Sequence, residues 1–249
     1  MPNATYLMLG RQQIALRELE KIAHNVANVN TTGFHQDHLW ITSWEGGRDP
    51  HGPVQFASDQ GVIRDLQPAP LQHTKRPFDV AIQGEGYLAL ETPQGIRYTR
   101  AGNFRLNPQG VLVSLEGYPV PSAEGTVMTL QPTDTEVTIR DDGTLQVRTP
   151  NTGEGPPERR GSIGMFSFQN PRLLERLGNR LYRATEEPTP DTATNTMVQG
   201  MLEGSNVNSV LGMTELVEVT RTHGGIVGVL NLKYGLDTTI LETLSDIRA

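Results

Sequence analysis

Both ends of this 249-residue chain carry apolar residues at helical spacing, and the stretch between them reads as short strands and turns. From about Ala4 to Asn28 there is no proline, and Gly10 is the only glycine. Met8, Leu9, Ala15, Leu16, Leu19, Ile22, Ala23 and Val26 recur on one side of a 3.6-residue repeat, with Asn3 placed to cap the first turn. At ~1.5 Å per residue such a helix spans about 37 Å. Arg11, Arg17, Glu18, Glu20 and Lys21 lie largely off the stripe. A one-sided helix of this length buries its apolar face only against a partner. From about Ser209 onward the helical pattern returns. Leu216, Val219, Ile226, Leu230, Ile240, Leu244 and Ile247 share one broad face, Met213, Val227 and Leu241 lie beside it, and Asn208 or Ser209 is in capping position. Gly224, Gly225, Gly228 and Gly235 each cost roughly 0.5–1 kcal/mol relative to alanine, which makes this second helix weak on its own and Gly224-Gly225 the place where it would break. Neither stripe has an obvious partner in the sequence except the other.

Between the helices the character changes twice. Gly33 to Pro77 is rich in Gly, Pro, His and Gln with isolated apolar residues (Leu39, Trp40, Ile41, Val54, Phe56, Val62, Ile63, Leu66), which predicts an extended, irregular connector with a strand or two. From Phe78 to about Val147 the pattern is β. Asp79–Gln83 and Tyr87–Glu91 read as strands around Gly84-Glu85-Gly86, and Pro93-Gln94-Gly95, Pro108-Gln109-Gly110 and Asp141-Asp142-Gly143 are turn signals. Asn151 to Arg160 reads as an exposed loop, Ile163 to Phe168 as another strand and Pro171 to Arg176 as a short helical turn.

Composition narrows the function classes. A 36% apolar content supports a sizeable core, and a net charge of −7 with 20% charged residues argues against nonspecific nucleic-acid binding, which needs a basic face. The absence of cysteine removes thiolate nucleophiles, thiolate metal sites and disulfides. The first residues, Met1-Pro2-Asn3-Ala4-Thr5, do not resemble a cleavable secretory signal, and no run approaches the ~18 apolar residues of a membrane span. Any export is therefore expected by a route that reads no such signal, without membrane insertion.

The most enzyme-like string is Gly84-Glu85-Gly86-Tyr87-Leu88-Ala89, which imitates a dinucleotide fingerprint. That fingerprint needs a helix directly after the glycines, whereas Tyr87 to Glu91 continues as strand and runs into Pro93, so a tight turn is the expected reading. His35 and His38 have metal-like spacing but no further ligand at a recognisable interval, which makes them polar residues of an exposed connector; His24, His51, His73 and His223 are scattered. Asp141 and Asp142 are turn residues, and Ser205 lies outside any nucleophile-elbow frame. No catalytic, cofactor or metal residues are assigned.

Two other strings are more specific. Asn25-Val26-Ala27-Asn28-Val29-Asn30-Thr31-Thr32-Gly33-Phe34 closes the first helix, and Leu202-Glu203-Gly204-Ser205-Asn206-Val207-Asn208 opens the second. Capping needs one or two such residues, and seven to ten are present. These strings resemble the terminal motifs of the bacterial flagellar axial proteins, the rod and hook family. Asp79 to Tyr87, Tyr98-Thr99-Arg100-Ala101-Gly102-Asn103-Phe104, Asn107 to Val113 and Gly117-Tyr118-Pro119-Val120 look like the family's central motif. Within the family, length near 250 and the Lys75–Asp79 and Leu202–Val207 segments with Met213-Thr214 are nearest the proximal rod members, with distal rod members next; hook members usually carry a further outer domain for which there is no room. The resemblance implies an α+β chain. An N-terminal helix (1–34) and a C-terminal helix (201–249) form a coiled-coil layer, joined by a connector (35–75) to a central β domain (76–200). It further implies a structural subunit, with copies of itself and other rod proteins as partners, passed unfolded through the flagellar type III export apparatus into a periplasmic rod that transmits torque. Leu9, Leu16, Leu19, Ile22 and Val26 with Leu216, Val219, Ile226 and Leu230 are then the expected assembly interface, and Asn25, Asn28, Asn30, Gly33, Phe34, Gly84, Gly86, Ser205, Asn206 and Val207 the family motif positions. The competing class is a ligand-binding β protein or enzyme using the Gly84–Ala89 loop, or an exported adhesin or regulatory module.

Overall fold

A computed structural model describes residues 2–49, 52–131, 134, 136–148, 156–178 and 180–246. His51, Ile247 and residues 151–155 of the expected exposed loop lie outside the described residues. The chain is α+β, with one helix at each end and a β-rich region between. Helix α1 spans Pro2–Ala27 and α2 spans Ser209–Asp246. Asn3 is not the cap of α1, because the helix is already running at Pro2. Asn208 does cap α2: its Oδ1 accepts from the backbone N–H groups of Val210 and Leu211, satisfying donors that have no partner within the helix. The helix does not break at Gly224-Gly225. Gly224, Gly225, Gly228 and Gly235 all face open space, and α2 passes through them. Local propensity is overridden by the docking of α2 along α1.

Two compact units divide the chain. One comprises residues 1–27, 37–65 and 207–249; the other comprises 28–36 and 66–206. In the first, α1 and α2 run antiparallel, Gly212 meeting Val26 at one end and the Lys233 ammonium bonded to the Thr5 hydroxyl at the other. Ala15 and Ile22 of α1 and Gly212 and Leu230 of α2 are buried, with Leu19, Val26, Leu216, Val219 and Ile226 half-buried beside them. The segment expected as an irregular connector forms a hairpin of two 13-residue strands, β1 (Asp37–Asp49) and β2 (Gly52–Arg64). Its register shifts between Trp40 and Ile41 and again between Glu45 and Arg48, and these irregularities are what blurred the two-residue alternation in the sequence.

The second unit is built from short antiparallel strands: β3 (Leu71–His73), β4 (Val80–Gln83), β5 (Tyr87–Thr92), β6 (Gly95–Thr99) and later ones. β5 and β6 centre a six-stranded sheet completed by Met165–Ser167, Thr189–Pro190, Tyr182–Arg183 and Glu175–Arg176. A three-stranded sheet joins Glu136–Ile139, Thr144–Arg148 and Glu158–Ser162. Leu88, Phe104, Leu112, Leu145, Ile163 and Met197 form the core, and a second cluster stacks Tyr87, Tyr98, Phe168 and Tyr182 edge to face. β4 and β3 pair with the late strands Thr196–Gln199 and Met201–Glu203, which brings the C-terminal motif beside the start of the β region.

Candidate functional site

The Asn/Thr-rich string after α1 and the Gly-Ser-Asn string before α2 meet in the β-rich unit, and the residue that joins them is Glu203. Its carboxylate is 1% exposed. Oε1 accepts from His35 Nε2 at 3.0 Å and from the Ala69 N–H at 3.3 Å, while Oε2 faces Arg100 Nη1 at 3.4 Å. His35 and Arg100 are also buried, so the carboxylate is met by two side-chain donors and one backbone donor away from water. His35 is therefore not a residue of an exposed connector; His38, two strand positions beyond Gln36, is the exposed one.

Backbone contacts close the clasp. The Gly33 N–H donates to the Glu203 and Gly204 carbonyls at 2.9 and 3.1 Å. Asn206 accepts from the Gln36 N–H through Oδ1 at 2.7 Å, donates its own N–H to the Phe34 carbonyl at 3.3 Å, and donates Nδ2 to the Gln67 carbonyl at 3.2 Å. Gly33 has φ +67°, and a Cβ there would lie 2.6 Å from the Ala101 nitrogen, so both conformation and space require glycine. Phe34 is buried under the Arg176 guanidinium, 4.4 Å from the ring centroid. Asn28 accepts from the Thr31 hydroxyl, while Asn30 is exposed. Ser205 is half-buried. In the helical unit Val207 is buried, and Asn25 holds the first residue of β1 by two bonds, accepting from the Asp37 N–H and donating to the Asp37 carbonyl.

Burial pushes the Glu203 carboxyl up, but the His35 hydrogen bond, the Arg100 charge and the Ala69 N–H outweigh it, leaving the pKa below the ordinary value of 4.5. A folded-state pKa below the unfolded one stabilises the clasp above pH 4.5, and that contribution is lost as pH falls through the folded value. The groups facing Glu203 are His35 and Arg100, with Arg176 bonded to the His35 carbonyl behind. Thermal melts at falling pH are expected to show the stability gap between wild type and Glu203→Gln shrinking once the pH drops below 4.5; a gap that stays constant would show that the carboxylate charge is not what holds the clasp.

The Gly84–Ala89 string has no phosphate geometry. Gly84 lies in a turn at φ +126°, followed by strand β5, and both glycines are packed on buried Asn195. Asn195 Oδ1 accepts from the Gly86 N–H at 2.9 Å, and its Nδ2 donates to the Ser167 hydroxyl and Asp191. Asp191, with the Thr194 hydroxyl and N–H and the Ser167 hydroxyl donating to it, is held at a pKa of about 2. Among the described residues no group of three or more His, Asp or Glu side chains is arranged to hold a metal ion, and no helix is long and apolar enough to cross a membrane.

The remaining candidate surface belongs to the helices. Of the expected interface residues, Ile22 and Leu230 are buried and Leu19, Val26, Leu216, Val219 and Ile226 half-buried between the two helices. Leu9 and Leu16 are instead 38% and 46% exposed, on a column seven residues apart that continues to exposed Ala23. On α2, Val210, Leu211, Met213 and Val217 are also exposed. Glu203, His35, Arg100 and Arg176 were missed as a group by sequence reasoning. Arg100 and Glu203 sit inside recognisable strings, but nothing local links residues 103 positions apart.

Comparison with known proteins agrees with this geometry. A family model described as the flagellar hook protein FlgE/F/G D1 domain matches residues 81–147, and one described as the flagellar basal body rod FlgEFG protein C-terminal matches residues 198–222. The flagellar basal-body rod protein FlgF of Caulobacter vibrioides is 34% identical over 252 residues, covering 99% of this chain and 100% of that one. FlgF of Mesorhizobium japonicum is 33% identical over 246 residues, covering 98% of each. The flagellar basal-body rod protein FlgG of Bacillus subtilis is 32% identical over 228 residues, covering 82% of this chain and 84% of that one. Arg100, Glu203 and Asn206 of the clasp and the early β strands lie within the matched segments, and the likeness to FlgF runs the full length: this chain belongs to the flagellar basal-body rod protein family.

Proposed function

We infer that this chain works as a FlgF-like structural subunit of the flagellar basal-body rod, with its helical layer completed by other copies and other rod proteins. The observation that carries the reading is the exposed apolar column Leu9, Leu16 and Ala23 on α1, beside a seam already filled by α2. Apolar surface of this kind is worth about 25 cal/mol per Å² when removed from water, and a helix neighbour supplies the matching geometry. In this reading the inner helices of successive subunits form a coiled-coil layer in the periplasm, and the clasp around Glu203 helps the rod transmit motor torque. Delivery as an unfolded chain through the type III apparatus fits a fold that needs no disulfide.

Because the chain has no cysteine, Leu9→Cys introduces a single reactive thiol. Treatment of isolated basal bodies with a bis-maleimide, beside rod partners carrying single cysteines, is expected to give cross-linked species through Leu9. Free reaction of that thiol with a bulky maleimide in intact basal bodies would overturn the assignment of this column to an interface.

A further inference from the structure

The hairpin carries an apolar surface that neither the core nor the helix pair uses. Trp40 and Trp44, the only tryptophans in the chain, are 51% and 64% exposed. They lie four residues apart in β1 and so point to the same face. Phe56 of β2 stands directly opposite Trp44 with ring centroids 6.1 Å apart, and Gly61 stands opposite Trp40, leaving that ring uncovered. The other face of the hairpin is the one tied to α1: Asp59, three residues along β2 from Phe56, pairs with Arg17 there. The aromatic ridge therefore points away from α1.

On α2, the side turned away from α1 carries Gly224, Gly225 and Gly228, where an added Cβ would meet nothing within 4 Å, flanked by exposed Val229 and Leu232. From Thr222 to Leu232 no side chain is charged, and the ridge segment Leu39 to Trp44 is likewise uncharged. Depletion of charge with aromatic enrichment marks the centre of protein interfaces. The two half-exposed indoles present on the order of 250 Å², about a third of the ~800 Å² one partner contributes to a standard interface. The two rings lie on one face with no charge between them, which fits the centre of a larger contact.

We propose that the Trp40–Trp44–Phe56 ridge of one copy seats on the glycine-lined outer face of α2 in a second copy. Ridge and trough are different surfaces of the chain, so a ridge-to-trough contact is heterologous, and repeated without ring closure it extends as an open assembly. Large rings over bare backbone give knob-and-hole matching, which also explains why α2 keeps glycines that weaken it as an isolated helix. The proposal rests on the rod-subunit reading and adds the surface through which like copies meet.

The test uses two full-length versions co-expressed in one cell, one with His38→Cys on the exposed ridge face and one with Gly228→Cys in the trough. A short bis-maleimide applied to isolated basal bodies is expected to yield a dimer only when both versions are present, and Trp44→Ala in the first version is expected to abolish it. Absence of that dimer from basal bodies in which Leu9→Cys still cross-links overturns the ridge–trough contact and leaves the rod reading standing. Absence of the chain from basal bodies overturns both. A shift of the tryptophan emission of the purified chain by soluble chitohexaose, without the dimer, would assign the ridge to a glycan and also overturn the proposal.

Discussion

Glu203→Gln is expected to lower the unfolding free energy of the β-rich unit by about 3–5 kcal/mol, read as a reduced urea midpoint with an unchanged slope. The substitution keeps the side-chain volume but leaves Arg100, 3% exposed on its side chain, without its counter-charge in a buried setting. It also replaces charge-assisted acceptors for His35 and Ala69 with a weaker amide. Electrostatics and packing are separable by a double-mutant cycle. Glu203→Leu combined with Arg100→Met removes both charges and is expected to be less damaging than Glu203→Gln alone. If the double variant is instead as unstable as the sum of its parts, the clasp acts by shape and not by charge pairing. Hydrogen exchange on Glu203→Gln should also show residues 28–36 losing protection first, because Gly33 donates to the very segment that carries Glu203.

The second large effect separates folding from assembly. Leu16 and Leu230 were both read from the sequence as interface residues, yet Leu16 is half-exposed and Leu230 is 5% exposed against α1. Leu16→Asp is expected to change the stability of the isolated protein by no more than about 0.5 kcal/mol while abolishing rod assembly and motility. Leu230→Asp buries a carboxylate without a partner and is expected to cost on the order of 3 kcal/mol, loosening α2 before any neighbour arrives. Circular dichroism melts with swimming assays on the two alleles distinguish them. A motile Leu16→Asp strain would remove the exposed column from the assembly interface.

Legibility varied with the range of the physics involved. α1 was readable because its periodicity is uninterrupted, and the turns at Gly95, Gly110 and Gly143 were readable because each needs positive φ. The apolar stripe of α1 was seen as one surface, although α2 covers only part of it and leaves Leu9 and Leu16 outside; width alone does not say where the partner sits. The length of the hairpin was obscured by its bulges. Continuity of α2 through its glycines was not readable, since the compensating contact is with a helix some 200 residues earlier. His35 is the sharpest case. A lone histidine in a polar stretch carries no sign of burial, and its partner is found only when the late strand Met201–Glu203 pairs with β3.

That pairing also has a kinetic side. His35 and Glu203 are separated by 168 residues, and the N–H of Gly33 waits for carbonyls in the same late segment. Contacts of such sequence separation carry a large loop-closure entropy and form after local ones. The β hairpins, whose partners lie within a few residues, form first. The linker behind α1 is fastened last, once the distant strand has been laid down. Refolding experiments should show the slowest phase in the protection of residues 28–36, after α1 has docked on its neighbouring hairpin.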